Sequence, residues 1–172
     1  RPGVSPFPLP DDAVLGARVP VQERAREFVV RARRAASPGA LVLIDYCSPS
    51  TAELAHRPWR EWLRTYRRHE RGGHYLADPG SQDVTCEVCL DQVLADIPGA
   101  IVQRQRDWLL GLGIDQRVEE GRRAWAAAAA APDLAAMTMR SRVAEAEALM
   151  DPAGLGGFTV MTIVEGDGCL GT

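Results

Sequence analysis

Ala40-Leu-Val-Leu-Ile-Asp-Tyr-Cys47 is the stretch that decides the fold. Leu41, Val42, Leu43 and Ile44 form an unbroken apolar run, opened by the breaker Ser37-Pro38-Gly39 and closed by Asp45 and the turn-forming Ser48-Pro49-Ser50. Four apolar residues without alternation suit a strand buried on both faces, as parallel strands of α/β proteins are. Their full burial would contribute roughly 6–12 kcal/mol as an upper bound. Asp45 falls where the strand runs out, on the side where open α/β sheets receive ligands. It is a site candidate, and a carboxylate that merely caps a loop has the same appearance.

Upstream, Val21 to Ala36 reads as a helix. Val21, Ala25, Phe28, Val29, Ala32 and Ala36 share one face, and Arg24, Arg31 and Arg34 share the other with Glu23 and Glu27 interleaved. Helix, breaker and strand make one step of a doubly wound sheet. Residues 1–20 hold five prolines and few apolar residues and read as an extended lead-in. Downstream, residues 48–84 concentrate Trp59, Trp62, Tyr66, His69, His74, Tyr75 and six arginines. A short helix is expected over 58–68, with turns at Gly72-Gly73 and Asp78-Pro79-Gly80. The tryptophans need a surface to pack on, so the segment reads as a packed loop, a substrate lid.

Asp83 then reads as the cap of a helix through Thr85 to Leu94. A short strand is expected at 100–102, a helix over 105–112 stopped at Gly113, and a second over 115–131 stopped by Pro132. Asp133 caps a third whose face is Ala136, Met139, Val143, Ala146 and Met150. Phe158 to Val164 is a β-rich run fit for a last strand, and 166–172 is expected to fray. The domain expectation is a lead-in over 1–20, one domain over 21–165 and a tail over 166–172.

The 172 residues suffice for one sizeable core, and a net charge of −3 gives no reason to expect nucleic acid or an anionic membrane as partner. All 20 basic residues are arginine, with lysine and asparagine absent, a pattern of GC-rich codon usage that discounts arginine as a functional signal. No apolar run approaches the ~20 residues that span a bilayer, and no signal peptide is read at the start. Four irregularly spaced cysteines suit a reducing, cytoplasmic setting. The chain opens on Arg1 and is read as a fragment of a longer protein. Cys86-x-x-Cys89 with His69 and His74 has zinc-like spacing, but a helical Cys86 and Cys89 would leave no knuckle turn, so no metal is expected.

Several motifs occur in order along the chain. They are Leu-Ile-Asp45-Tyr46, Arg64-Thr65-Tyr66-Arg-Arg-His69, Asp78-Pro79-Gly80-Ser-Gln-Asp83-Val-Thr85, Gln105 to Trp108 before Leu-Gly113-Ile114, and Met150-Asp-Pro-Ala-Gly-Leu-Gly156. Together they resemble the MidA-like class I S-adenosylmethionine-dependent methyltransferases, whose relatives include the mitochondrial enzyme that methylates a protein arginine for complex I assembly. The resemblance covers residues 19–164, with Cys47 where the family has glycine and Cys86 where it has a small residue. It implies the carboxyl-terminal portion of a Rossmann-like α/β sheet, with an inserted lid loop and helical additions, beginning just before the fifth strand. The cut would leave the 41–44 strand without its neighbour and expose an apolar edge.

The implied function is methyl transfer from S-adenosylmethionine to a protein, arginine-type acceptor. The Gly-rich cofactor turn of the family has no counterpart here, so no cofactor-binding residue is assigned. By resemblance Asp45 and Tyr46 form the crevice floor, and Arg64, Tyr66, His69, Asp83 and Thr85 the acceptor wall or lid. His69 is a candidate proton acceptor or a structural hydrogen-bonding residue. The rival reading is a non-catalytic protein-binding or assembly module left from such an enzyme.

Overall fold

The computed structural model describes residues 9–13 and 15–165. Helix α1 (Glu23–Ala35) leads into β1 (Gly39–Asp45) and β2 (Cys47–Ser48). Two short helices follow, α2 (Thr51–His56) and α3 (Trp59–Trp62), then β3 (Leu63–Arg67), β4 (Glu70–Arg71), β5 (Asp83–Cys86) and β6 (Val88–Cys89). The chain continues through α4 (Leu90–Val93), β7 (Ile101–Arg104), α5 (Gln105–Gly111), α6 (Ile114–Ala127) and α7 (Leu134–Met150). A 3₁₀ turn at Leu155–Gly157 precedes β8 (Thr159–Glu165). The expected tail at 166–172 and residues 1–8 of the expected lead-in lie outside the described residues.

Among the described residues these elements form two compact units, one within 9–41, 45–100 and 163–165, the other from 42–44 and 101–162. In the first, α1 has Glu23 in its first turn and Arg33 and Arg34 in its last, charges that match the helix dipole at both ends. Ser50 opens α2 by accepting the Glu53 N–H at 3.2 Å, and the Ser50-x-x-Glu53 spacing is that of a capping box. Leu54, Trp62 and Cys89 make the buried cluster, with Trp59 and Leu63 packed against it. β2 pairs with β6 in parallel, and β3 is the centre of an antiparallel sheet of order β4-β3-β5.

Three expectations are corrected in this unit. The 58–68 helix is one turn, Trp59–Trp62, after which the chain extends as β3. Asp83 does not cap a helix: it opens β5, where β-branched Val84 and Thr85 favour extended backbone, and the helix shrinks to Leu90–Val93. Phe28, assigned to the inner face of α1, is exposed, and Val29 is the residue of that helix that is buried.

In the second unit the sheet order is β1-β8-β7, with β7 and β8 antiparallel from Ile101↔Thr162 to Arg104↔Thr159. The strand buried throughout is β8, from Thr159 to Ile163. β1 is an edge strand, and Val42 and Ile44 remain 39% and 43% exposed. The expected two-sided burial of Leu41–Ile44 is therefore wrong, because burial is set by strand position, which an apolar run does not encode. Gly113 takes a positive φ of 79° between α5 and α6. Asp133 caps α7 by accepting the Ala136 N–H at 2.8 Å. The inner face of α7 is Ala136, Met139, Val143, Ala146 and Met150, as the spacing predicts.

Burial pushes the Cys89 thiol up to about 12 from 9.0. The folded thiol then stays protonated while the unfolded one ionises, so stability is intact below pH about 9 and is lost as pH rises toward about 12. Urea midpoints measured between pH 8 and 11 should fall less steeply for Cys89→Ala than for Cys86→Ala, taking about pH 8 as the reference below thiol ionisation. Equal slopes would show that Cys89 ionises freely in the fold.

Candidate functional site

The β3–β5 register gathers four of the residues singled out in the sequence. Arg64 pairs with Thr85 and Tyr66 with Asp83, so all four side chains share one face of the β4-β3-β5 sheet. Arg71 on β4 stands opposite Tyr66 on the same face. The Arg71 guanidinium carbon lies 5.9 Å from the Tyr66 ring centroid, and that of Arg64 lies 5.5 Å from the Tyr46 ring. Tyr46 is held from behind, because its carbonyl accepts the Val88 N–H at 2.8 Å. The face therefore carries two tyrosines, two ring-held arginines, a threonine hydroxyl and the exposed Asp83 carboxylate.

Asp45 ends β1 as expected, is exposed, and accepts the Tyr46 N–H on Oδ1 at 2.7 Å. That bond turns the chain and fixes the start of Tyr46. His69 stands apart from the Arg64–Thr85 pair. With Arg68 it forms the two-residue turn between β3 and β4, both at positive φ (51° and 70°), about 10 Å along the strand from Arg64. Among the described residues its side chain makes no hydrogen bond or ion pair.

The lid segment is more ordered than its composition suggests. Gln82 stitches it, donating to the carbonyls of His74 (2.8 Å) and Ala77 (3.1 Å) and accepting from the Gly73 N–H (3.1 Å). His74 and Tyr75 stack at 4.6 Å and meet the Trp59 ring edge-on. A cleft of about 220 Å³ opens beside them, lined by Trp59, Arg60, Leu63, Thr65, Arg71, Gly72, Gly73 and His74. The sequence pattern missed this cleft, although the alternation of Trp59-Arg60 with Arg71-Gly-Gly-His74 carries its residues.

The premise that kept metal out of the Cys86-x-x-Cys89 motif is also corrected. Cys86 ends β5 and is exposed, Cys89 lies in β6 and is buried, and neither is helical. Desolvation of the Cys89 thiol opposes the thiolate that a metal or a redox partner needs. Among the described residues no group of three His, Cys, Asp or Glu converges as a metal site would require.

Residues 7–103 match the model of a family described as "Putative S-adenosyl-L-methionine-dependent methyltransferase". The chain belongs to that family. Two solved structures from Burkholderia thailandensis are similar to it, each 26% identical. One is an uncharacterized superfamily protein (TM-score 0.59), covering 87% of this chain and 39% of its own. The other is a superfamily member bound to S-adenosyl-homocysteine (TM-score 0.61), covering 87% of this chain and 38% of its own. The chain thus spans about two fifths of the length of the solved relatives it matches. No curated protein matches it. Among the described residues no helix is long and apolar enough to cross a membrane.

Membership in this family implies S-adenosylmethionine, and the glycines test whether these residues could cradle it. A Cβ on Gly72 would meet Gln82 Oε1 at 2.5 Å and Thr65 Oγ1 at 2.9 Å, and one on Gly157 would meet the Pro152 carbonyl at 2.6 Å. Gly156 is closed off by the Met150 backbone. The chain itself fills these positions, and the open glycines Gly16, Gly73, Gly80, Gly99 and Gly111 do not lead from a strand into a helix. The described residues do not fit a nucleoside cradle.

Non-glycine residues pay about 1–2 kcal/mol for left-handed backbone. His69→Gly should therefore raise the unfolding free energy by about 1 kcal/mol in a urea titration. A loss of stability would mean that the imidazole makes contacts that outweigh the strain.

Proposed function

We propose that this chain supplies the acceptor side of an S-adenosylmethionine-dependent methyltransferase of the MidA-like type, acting on a protein arginine in the cytoplasm. The observation that carries the reading is the β3–β5 register, which brings Arg64, Tyr66, Asp83 and Thr85 onto one face beside Tyr46. The edge position of β1 supports a place in a larger, Rossmann-like sheet, with Val42 and Ile44 waiting for a neighbouring strand. The stitched 72–82 segment is the lid. The partner is a protein substrate rather than nucleic acid or membrane.

In this reading the cofactor, held by residues outside those described, supplies a methyl group on a sulfonium sulfur. The chain's own residues handle the acceptor. Methylation of a guanidinium nitrogen releases one proton, and the acceptor must be nearly neutral to attack. Arg64 on the face disfavours a second cation beside it and so lowers the proton affinity of the bound guanidinium. Asp83 orients its N–H groups and takes the proton. Thr85 and the tyrosine hydroxyls complete the hydrogen bonding, and Asp45 fixes Tyr46 at the floor. His69, at the turn, flanks the entrance.

The poor fit to a nucleoside favours one second reading, a non-catalytic module that binds or assembles a protein without transferring methyl groups. Single-turnover methyl transfer by the chain joined to a cofactor-binding part separates the two. In that enzyme Asp83→Asn should slow transfer by roughly 10²–10³ with an unchanged urea midpoint, the scale of losing one positioned polar group. Asp45→Asn should do the same if its charge serves the acceptor. If Asp45 only turns the chain, the variant would instead cost about 1 kcal/mol of stability and keep its turnover. Normal turnover in Asp83→Asn would remove it from the site.

A further inference from the structure

Residues 57–75 hold six arginines and two glutamates, a local excess of four positive charges in a chain of net charge −3. Arg57 is spent on Glu87, with two bonds of 2.8 and 2.9 Å, and Arg67 lies 3.8 Å from Asp78. Arg60, Arg64 and Arg71 differ. Each lies over an aromatic ring, Arg60 at 4.7 Å from Trp59, Arg64 over Tyr46 and Arg71 over Tyr66, and none has an ion pair among the described residues. A ring holds a guanidinium in place through its face and leaves the N–H donors at the edge free. The chain has oriented these cations without neutralising them.

Two of the three, Arg60 and Arg71, line the cleft of about 220 Å³ beside Trp59, and no carboxylate among the described residues lines it. His74, on the same wall, accepts the Leu76 N–H on Nδ1 at 3.2 Å, which leaves Nε2 as a donor. Thr65 Oγ1 is committed to the Gly73 carbonyl at 2.7 Å. The cleft is rich in free donors and poor in side-chain acceptors, and its size suits one or two carboxylates on their stems.

We propose that this cleft binds the carboxylates of an acidic polypeptide segment, with Arg60 and Arg71 as the anion-binding pair and His74 as a further donor. A polypeptide fits better than a single-stranded nucleic acid, because the rings that bases would stack on are already covered. Trp59 is flanked by Arg18 and Arg60 and edged by His74 and Tyr75, and Tyr46 and Tyr66 each carry an arginine. If the methyl acceptor is a protein, the proposal specifies an acidic flank near its target residue. That extension rests on the proposed function, whereas the binding itself is measured without cofactor or turnover.

The test is fluorescence anisotropy on the 172-residue chain. The probes are a labelled alternating Glu-Gly octapeptide, its Gln-Gly counterpart and an eight-nucleotide single strand of DNA. The acidic peptide should bind at least about tenfold more tightly than the glutamine peptide or the DNA, and should weaken as salt rises. Arg71→Gln should weaken it about fivefold and Arg60→Gln/Arg71→Gln about tenfold or more, with far-UV circular dichroism unchanged. Arg31→Gln, on α1, should leave binding as it was. Arg71 sits on a two-residue edge strand, so its single variant remains informative even if the double variant does not fold. Equal binding of the two peptides, an Arg71→Gln chain that binds like the parent, or DNA binding tighter than the acidic peptide would overturn the proposal.

Discussion

The first unit depends on a buried exchange between two glutamines about seventy residues apart. The Gln22 N–H donates to Gln92 Oε1 at 2.8 Å, and Gln92 Nε2 donates to the Pro20 carbonyl at 2.9 Å and to Thr51 Oγ1 at 2.7 Å. Thr51 in turn donates to Asp91 through both its N–H and its hydroxyl. The Gln22 side chain reaches the other way, donating to the Glu87 carbonyl at 2.8 Å and accepting the Cys89 N–H at 2.8 Å. Gln92 and Thr51 are wholly buried, and buried polar groups left unpaired cost about 1–3 kcal/mol each. The exchange is thus both a fastener and a constraint on every residue it satisfies.

Its consequence for the site runs through three successive residues. The Glu87 N–H donates to the Trp62 carbonyl at 3.0 Å, just where α3 gives way to β3, and the Val88 N–H donates to Tyr46 at 2.8 Å. Cys89 is held by Gln22, and its buried side chain joins Leu54 and Trp62. The Glu87 carboxylate meanwhile takes the bidentate Arg57, whose guanidinium is pushed further above its usual range by that bond. One extended tripeptide therefore sets the position of Tyr46 on one side and of β3 on the other. The face that carries Arg64, Tyr66, Asp83 and Thr85 is a product of that setting.

The elements that local pattern fixes were legible in the sequence. The face of α7 steps by three and four, Asp133 caps it, Gly113 turns the chain, and the β-branched run at 159–164 becomes the buried strand. What failed was long-range. A short helix is the expectation over 58–68, and only pairing with Asp83–Cys86 shows that Leu63–Arg67 is a strand. The apolar run at 41–44 gave the strand but not its place at an edge. The site residues were named through motif resemblance, and their convergence needed the register: Arg64 meets Thr85 across 21 positions of chain. His69 belongs to the same motif yet stands at a turn, because a hairpin separates residues that sequence places together. The glutamine exchange left no local signature at all, since a lone glutamine in a polar stretch looks like any surface residue.

The central claim is that the Arg64–Tyr66–Asp83–Thr85 face receives a protein arginine. Backbone amide shift mapping tests it most directly, with a short arginine-containing peptide titrated into the 15N-labelled chain. The account predicts saturable shifts at Tyr46, Arg64, Tyr66, Asp83 and Thr85, lost when the peptide arginine is replaced by glutamine, with α6 and α7 unmoved. Shifts confined to other elements, or a pattern identical for the glutamine peptide, would contradict it.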